Sequence, residues 1–353
     1  MSVTVDTHAL TENYRALRKA VGNIYCVLKC NAYGHGAVRC AKALYEAGAR
    51  RFAVFSLSEA LAVKPYVGES ELLILGRTDP GELRYVTENR LTQTVSSEEY
   101  ACAILSLSKR PDLHVEVDVG MNRAGFSPFD ERLFPAVERL KGSVKGIYTH
   151  FPRADSADIA DTERRLSVFL KVAHESEQLL NSPLIKHSAA SASAVRLPSA
   201  RLDASRIGIM LYGVMPSNTF LPGLTPVMSL HGRITELRTA RVGEAVGYGY
   251  AFLCKRNSVI ATADVGYAYG VRRSLAGKIS PSINGFTYPL IAVCMDRCMI
   301  DVTDALTRGE TVKVGDRVTF FGGNPSVTDV ARAADTISYE ILTGAGLKRT
   351  DLV

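Results

Sequence analysis

A lysine ends a strand-like apolar run, Tyr25-Cys26-Val27-Leu28-Lys29. A polar, glycine-rich turn follows, Cys30-Asn31-Ala32-Tyr33-Gly34-His35-Gly36, and then a helix-like segment over 37–44. An ammonium at the end of a buried strand costs free energy unless it is paired or put to chemical use. Lysine amines form Schiff bases with carbonyl compounds, pyridoxal phosphate among them, and a desolvated amine titrates towards neutrality. Taken alone, such a lysine is more simply explained by an ammonium that reaches solvent or a carboxylate at the strand end. Four more polar groups stand at comparable places: Arg123, His150, His187 and Arg206 each lie at or just after the end of an apolar run.

The elements that must position these groups follow a rhythm. An amphipathic helix is expected over 8–21, with Leu10, Tyr14, Leu17 and Val21 on one face. Strand candidates then fall at 24–29, 51–55, 71–75, 91–95, 113–118, 146–150, 184–187 and 202–206. Helical patterns lie between them, among them 97–106, 130–141 and 158–180. Eight strands alternating with helices predict an α/β domain of the (β/α)8, or TIM, barrel kind, whose chemistry gathers at the C-terminal ends of the strands. Lys29, Arg123, His150, His187 and Arg206 would then share one rim. The segments after the seventh and eighth strands hold Ser188, Ser191 and Ser193, then Gly208-Ile209. Hydroxyls and backbone amides there suit a phosphate, although a small-residue turn needed only for packing has the same composition. Beyond about residue 216 the pattern turns to strands, expected over 233–242, 258–265, 291–302 and 310–321, with one short helix near 327–334. This predicts a barrel over 1–216 and a mostly-β domain over 217–353, with the first few residues as candidates to pair with the β domain.

The 353 residues suffice for two domains, and 46% hydrophobic with 22% charged residues is the composition of a soluble globule. No apolar run approaches the ~20 residues that span a bilayer. The N-terminus has neither the basic region nor the apolar core of a secretory signal. Seven cysteines are odd in number, scattered and without a CxxC pair, as expected of reduced thiols in a cytoplasmic protein. The formal charge of +6 is diffuse and no basic run is interleaved with aromatics, so neither nucleic acid nor a membrane is an expected partner.

The stretch around Lys29 resembles the signature of the cofactor lysine in the alanine racemase family, the fold-type III pyridoxal-phosphate enzymes. Further motifs of that family recur in order: Asp118-Val119-Gly120-Met121-Asn122-Arg123-Ala124-Gly125, Ser205-Arg206-Ile207-Gly208-Ile209-Met210-Leu211-Tyr212-Gly213, Ala245-Val246-Gly247-Tyr248-Gly249, Gly266-Tyr267-Ala268, Cys294-Met295-Asp296 and Thr336-Ile337-Ser338-Tyr339-Glu340-Ile341-Leu342. The resemblance implies pyridoxal 5'-phosphate on Lys29, with Tyr33, Ser191, Gly208 and Ile209 at its phosphate. It implies Arg123 at the cofactor's phenolic oxygen and Arg206 at its ring nitrogen, oriented by His187. It places Glu116 where many members carry a carbamylated lysine beside that first arginine, and gives His150 the tuning of a catalytic tyrosine, Tyr248. Racemisation needs one group on each face of a planar carbanion; the implied pair is Lys29 and Tyr248. Arg123, Tyr267, Met295 and Asp296 would bound the small amino-acid substrate. The implied assembly is a homodimer in which Tyr248 and Met295 face the other subunit's Lys29.

Four positions depart from the family pattern. Tyr269 stands where an aspartate is usual, Ala190 where many have asparagine, Leu347 where a tyrosine often caps the substrate, and Ala292 where an arginine lines the access corridor. Small or apolar residues at the last three predict a wider corridor and a phosphate held by fewer hydroxyls. The expected activity is interconversion of L- and D-alanine, in keeping with a role in D-alanine biosynthesis. Serine, or a broader set of small amino acids, is the alternative substrate. A fold-type III decarboxylase would carry its own cysteine and aspartate motifs, and a non-catalytic pyridoxal-phosphate carrier would lack the Val246-Gly247-Tyr248-Gly249 segment.

Overall fold

A computed structural model describes residues 2–346, so Leu347 lies outside the described residues. Short apolar runs buried along nearly their whole length form strands that need covering on both faces, which a ring of parallel strands wrapped by helices supplies. The strands are β1 (Ile24–Val27), β2 (Arg51–Val54), β3 (Glu71–Ile74), β4 (Thr92–Val95), β5 (Asp112–Glu116), β6 (Val144–Tyr148), β7 (Ile185–His187) and β8 (Ser205–Ile207). From β1 to β7 each pairs in parallel with the next, and β1 pairs with β8 through Ile24 opposite Ser205. Between β7 and β8 the seam is closed by Arg206 N–H donating to the Ala189 carbonyl at 2.8 Å, Asp203 N–H to that of Lys186 at 3.0 Å, and a parallel bridge between Ala190 and Arg206. The eighth strand lies slightly later than its apolar pattern suggests, because Leu202 and Asp203 form the turn into it.

The chain divides into two compact units, one made of Thr7–Ala32 and Ala37–Thr225, the other of the residues before Thr7, Tyr33–Gly36 and the chain from Pro226. The second unit is built on an antiparallel sheet. Its long strand Met228–Ala240 pairs with Ser258–Ala263 and Arg317–Phe321, and the N-terminal strand Ser2–Val5 pairs with its beginning. The single strand expected over 291–302 is a hairpin instead, Leu290–Val293 and Cys298–Asp301, closed by Cys294 N–H donating to the Arg297 carbonyl at 2.8 Å. The polar Asp296-Arg297 pair interrupts the apolar run and makes the turn. The helix Ser338–Gly346 does not announce itself in the sequence, since glycine at 344 and 346 lowers its propensity. Gly346 is required there for contact: a Cβ on it would lie 2.1 Å from the Gly34 carbonyl oxygen. Among the described residues no helix is long and apolar enough to cross a membrane.

The turn after β1 is wound the wrong way for L-residues. Cys30, Asn31, Ala32 and Tyr33 all have φ near +54°, a left-handed turn that costs roughly 1–2 kcal/mol per non-glycine residue. Three hydrogen bonds hold it. Ala32 N–H donates to the Leu28 carbonyl at 2.7 Å, Ala37 N–H donates to Asn31 Oδ1 at 2.7 Å, and Cys30 N–H donates to Glu59 Oε1 at 2.7 Å. The second oxygen of Glu59 accepts from Phe55 N–H at 2.7 Å. One carboxylate therefore ties the residue after Lys29 to the end of β2. Glu59→Ala is expected to lower stability by about 1–3 kcal/mol, read from urea denaturation as a lower midpoint with an unchanged slope. A midpoint equal to the parent's would show that Glu59 is not what holds the turn.

Candidate active site

Lys29 stands half-buried just beyond the end of β1, immediately before the left-handed turn. Burial lowers its pKa, and the Arg123 guanidinium lowers it further, with a smaller push from Arg206. Among the described residues no carboxylate pairs with its amine; Glu59 acts on it only through the field, as the weakest of the influences. Arg123 is carried by a loop that Asp118 organises. The Asp118 carboxylate accepts from Gly120 N–H and Met121 N–H, each at 2.7 Å, and from Arg123 N–H at 3.2 Å. Gly125, at φ +109°, lets the loop fold back: a Cβ there would lie 2.9 Å from Asp118 N.

Arg206, at the middle of β8, is buried. Its Nη1 donates to His187 Nδ1 at 3.0 Å and also to the His187 carbonyl, and its Nη2 donates to the Thr149 carbonyl at 2.6 Å and approaches His150 Nδ1 at 3.4 Å. All of its hydrogen bonds to the described residues run from the two Nη atoms, which leaves the Nε–H for another acceptor. Its guanidinium lies over the Tyr148 ring, 4.8 Å from the centroid. Burial and the cations Arg206, Arg123 and Lys29 pull His150 down to about 3, and burial with Arg206 holds His187 well below the ordinary histidine range. Both rings are neutral at physiological pH.

Glu116 stands at the end of β5, and the Tyr148 hydroxyl behind it lies 3.1 Å from Thr94 Oγ1. Burial raises the Glu116 pKa while Arg206, and more weakly Arg123, lower it. The pairing with Arg123 expected from the sequence is thus an influence through the field. The three serines after β7 have separate duties. Ser188 donates to the Ala200 carbonyl at 2.7 Å and Ser193 is bonded to the Ala190 backbone at 3.0 Å. Ser191 alone turns to the end of β8, where it accepts from Gly208 N–H at 3.2 Å. Gly208 takes φ −112°, ψ −91°, and the chain turns there into Ile209–Tyr212.

A second set lies on the other unit. Tyr248 follows Gly247, at φ +80°, in the loop between two short paired strands, Ala245–Val246 and Phe252–Leu253, and its side chain is 81% exposed. It lines a cleft of about 460 Å³ together with Arg238, Glu244, Cys294, Asp296 and Arg297. Tyr267 and Met295 are brought together through backbone: Tyr267 N–H donates to the Cys294 carbonyl at 2.9 Å and Ala268 N–H to that of Met295 at 2.8 Å. Gly266 allows this approach, since a Cβ on it would lie 2.3 Å from the Cys294 oxygen. Tyr269 belongs to the same short turn, Tyr267–Tyr269. Tyr33 meets Tyr339 with ring centroids 6.0 Å apart. Ala292 is only 2% exposed and makes room for the Gly247 turn, whose added Cβ would meet its methyl at 2.7 Å.

Several residues that the motifs left unmarked serve the site. Glu59 anchors the turn beyond Lys29, Tyr148 offers its ring face to Arg206, and Thr149 accepts from Arg206 through its backbone. A backbone acceptor leaves no trace in residue type, and Glu59 sits in an ordinary helical stretch.

Residues 5–216 match the model of the alanine racemase N-terminal domain, and 227–351 match that of the alanine racemase C-terminal domain. The alanine racemase of Desulforamulus reducens is 36% identical over 357 residues, covering 97% of this chain and 95% of the relative. The solved alanine racemase of Streptomyces coelicolor A3(2) superposes with a TM-score of 0.90 at 29% identity, covering 98% and 96% of the two chains. That of Bacillus anthracis, solved with bound L-Ala-P, gives 0.86 at 32% identity, covering 97% and 92%. With both domain models matched in order along a barrel that carries the lysine, the arginines and the histidines at its rim, this chain belongs to the alanine racemase family.

Proposed function

We propose that this protein is a racemase of alanine that uses pyridoxal 5'-phosphate and two acid–base groups, Lys29 and Tyr248. The observation that carries the reading is the setting of Lys29: an amine at the barrel mouth whose pKa is lowered by burial and by Arg123 and Arg206, with no carboxylate bonded to it, is favoured towards the neutral form that acts as nucleophile and base. The residues around it fit the cofactor. Ser191 and the adjoining Gly208 and Ile209 backbone, with Tyr33, are suited to its phosphate, Arg123 to its phenolic oxygen, and the unpartnered Nε–H of Arg206 to its ring nitrogen. When bound, pyridoxal phosphate supplies an electron sink that acidifies the α-proton of an amino acid joined to it.

The protein's part is to move that proton between faces. The Lys29 Nζ serves one face of the α-carbon and the Tyr248 phenolic oxygen the other, so that removal at one side is matched by delivery at the other. Arg206 does not give up its protons, so an acceptor resting on its Nε–H stays unprotonated. This tempers the sink and disfavours side reactions of a long-lived carbanion. His150 and His187, both neutral, hold the guanidinium without adding positive charge. Tyr267, Met295 and Asp296 bound the substrate.

The active assembly is a homodimer. Tyr248, Tyr250, Leu253 and Met295 are exposed large side chains of one unit, a patch of the kind that marks an interface. A second copy is its occupant, its barrel mouth bringing Lys29 to Tyr248.

Tyr248→Phe is expected to retain cofactor binding and to lose turnover by at least about 100-fold, unequally for the two enantiomers, measured by circular dichroism from pure L- and pure D-alanine. Equal, parent-like rates would remove Tyr248 from the mechanism. Lys29 also has a signature without cofactor. Its folded pKa is depressed, so below that pKa folding must hold an ammonium that burial and Arg123 disfavour. This destabilisation fades as pH rises towards the ordinary lysine value of about 10.4 and is gone above it. The cofactor-free Lys29→Met protein is therefore expected to melt above the parent at pH near 7, with the gap narrowing as the solution is made more basic. A gap that stays constant or widens with pH would contradict the desolvated amine.

A further inference from the structure

The interior of the barrel carries a line of polar side chains that the two-base chemistry does not use. It begins at Arg206 and ends near the N-terminal end of β3. His187 Nε2 lies 2.8 Å from His114 Nδ1, and His114 Nε2 lies 3.4 Å from Glu71 Oε1. Glu71 also accepts from the Tyr25 hydroxyl at 2.6 Å and from Arg51 Nε at 3.3 Å. Both rings are fully enclosed, His114 at 1% exposure and His187 at 0%. Tyr148 stacks on His187 at 4.8 Å between centroids, and Tyr25 covers it at 4.9 Å.

The proton positions along this line follow from one end. An arginine cannot accept a hydrogen bond, so the contact of its Nη1 with His187 Nδ1 requires that nitrogen to be bare. A neutral His187 then carries its proton on Nε2 and donates it to His114 Nδ1. His114, which burial and the Arg206 and Arg51 cations pull down to about 3, is likewise neutral and bare at Nδ1. Its own proton sits on Nε2, directed at the Glu71 carboxylate. The contact between His114 and Glu71, at 3.4 Å, is thus that of a neutral ring N–H facing a carboxylate and not an ion pair. The backbone makes room for it: Gly146 pairs with His114 across β5 and β6, and a Cβ at that glycine would lie 2.5 Å from His114 Nε2. Glycine inside a strand weakens it, and here the neighbouring ring requires it.

We infer that His114 is a positioning residue for Arg206. By accepting from His187 Nε2–H it holds His187 in the single tautomer that presents a bare nitrogen to Arg206, and so it aims the guanidinium. Without an acceptor at position 114, His187 is free to carry its proton on Nδ1, which then faces an N–H of Arg206 and turns it aside. The direction of aim, towards the ring nitrogen of pyridoxal phosphate, rests on the function proposed above; the tautomer does not.

The test uses the full chain labelled with ring-¹⁵N histidine, without cofactor, and long-range ¹⁵N–¹H correlation spectra. In the parent, His114 and His187 are expected as neutral Nε2–H tautomers throughout from about pH 6 to about pH 8.5. The paired variants His114→Asn and His114→Leu have nearly the same shape; the first keeps an acceptor where Nδ1 stood and the second has none. The asparagine variant is expected to retain the His187 tautomer and to bind pyridoxal phosphate within about threefold of the parent. The leucine variant is expected to mix tautomers and to bind it about tenfold or more weakly, a step equal to one lost buried hydrogen bond. A parent His187 protonated on Nδ1 or on both nitrogens would overturn the inference, and so would equal cofactor affinity in the two variants. Should the leucine variant not fold, the parent spectrum and the asparagine variant decide. A parent with the expected tautomers that binds no pyridoxal phosphate supports the relay and counts against the proposed function instead.

Discussion

Desolvation of one amine organises the mouth of this barrel. An ammonium at Lys29 is disfavoured by burial and by Arg123 and Arg206, and no carboxylate of the described residues is bonded to it; Glu59 relieves it only weakly, through the field. That arrangement weakens the fold slightly and is of no structural use, which is the signature of a group kept for chemistry. The neighbouring features follow from it. The left-handed turn beginning at Cys30 sets the lysine at the end of β1, Glu59 ties down that turn, and Asp118 shapes the loop that brings Arg123 close enough to act.

Arg206 poses the complementary problem. It is a buried cation that must be fully bonded except where a ligand is to meet it. Two carbonyls and two neutral histidines take up its Nη donors, the Tyr148 ring lies under its guanidinium, and Glu116 acts on it through the field. A carboxylate bonded directly to Arg206 would compete with a ligand for its position; a neutral acceptor behind it does not. The line of side chains behind His187 extends the same logic to the far end of the barrel, where Glu71 and Arg51 provide a charge pair at its end.

Much of this was legible in the residues alone. Eight buried runs separated by helical patterns specify a parallel barrel, and a polar residue at the end of a run specifies the rim; β1 to β7 lie within a few residues of their apolar patterns. The β unit was read less well. Its strand over 291–302 proved to be a hairpin because an Asp-Arg turn is a weaker signal than a glycine one, and Ser338–Gly346 is helical against its own glycines because Gly34 needs the space. At the site, charged and aromatic residues in motifs could be found by type. His114 could not, since a histidine inside an apolar strand looks like an ordinary core residue until the glycine opposite it and the partner at each nitrogen are seen. The three serines after β7 looked alike, and only the hydrogen bonds single out Ser191.

The account requires an amine and a phenol from different chains to serve one α-carbon. Subunit mixing tests this most directly. Lys29→Ala and Tyr248→Phe proteins, each inactive alone, are unfolded together, refolded and assayed for alanine racemisation. Random pairing places an intact Lys29 opposite an intact Tyr248 in one site of each mixed dimer, so about a quarter of the parent activity is expected to return. If both groups belong to the same chain, every site in the mixture lacks one of them, and no recovery beyond the two separate variants would contradict the shared site.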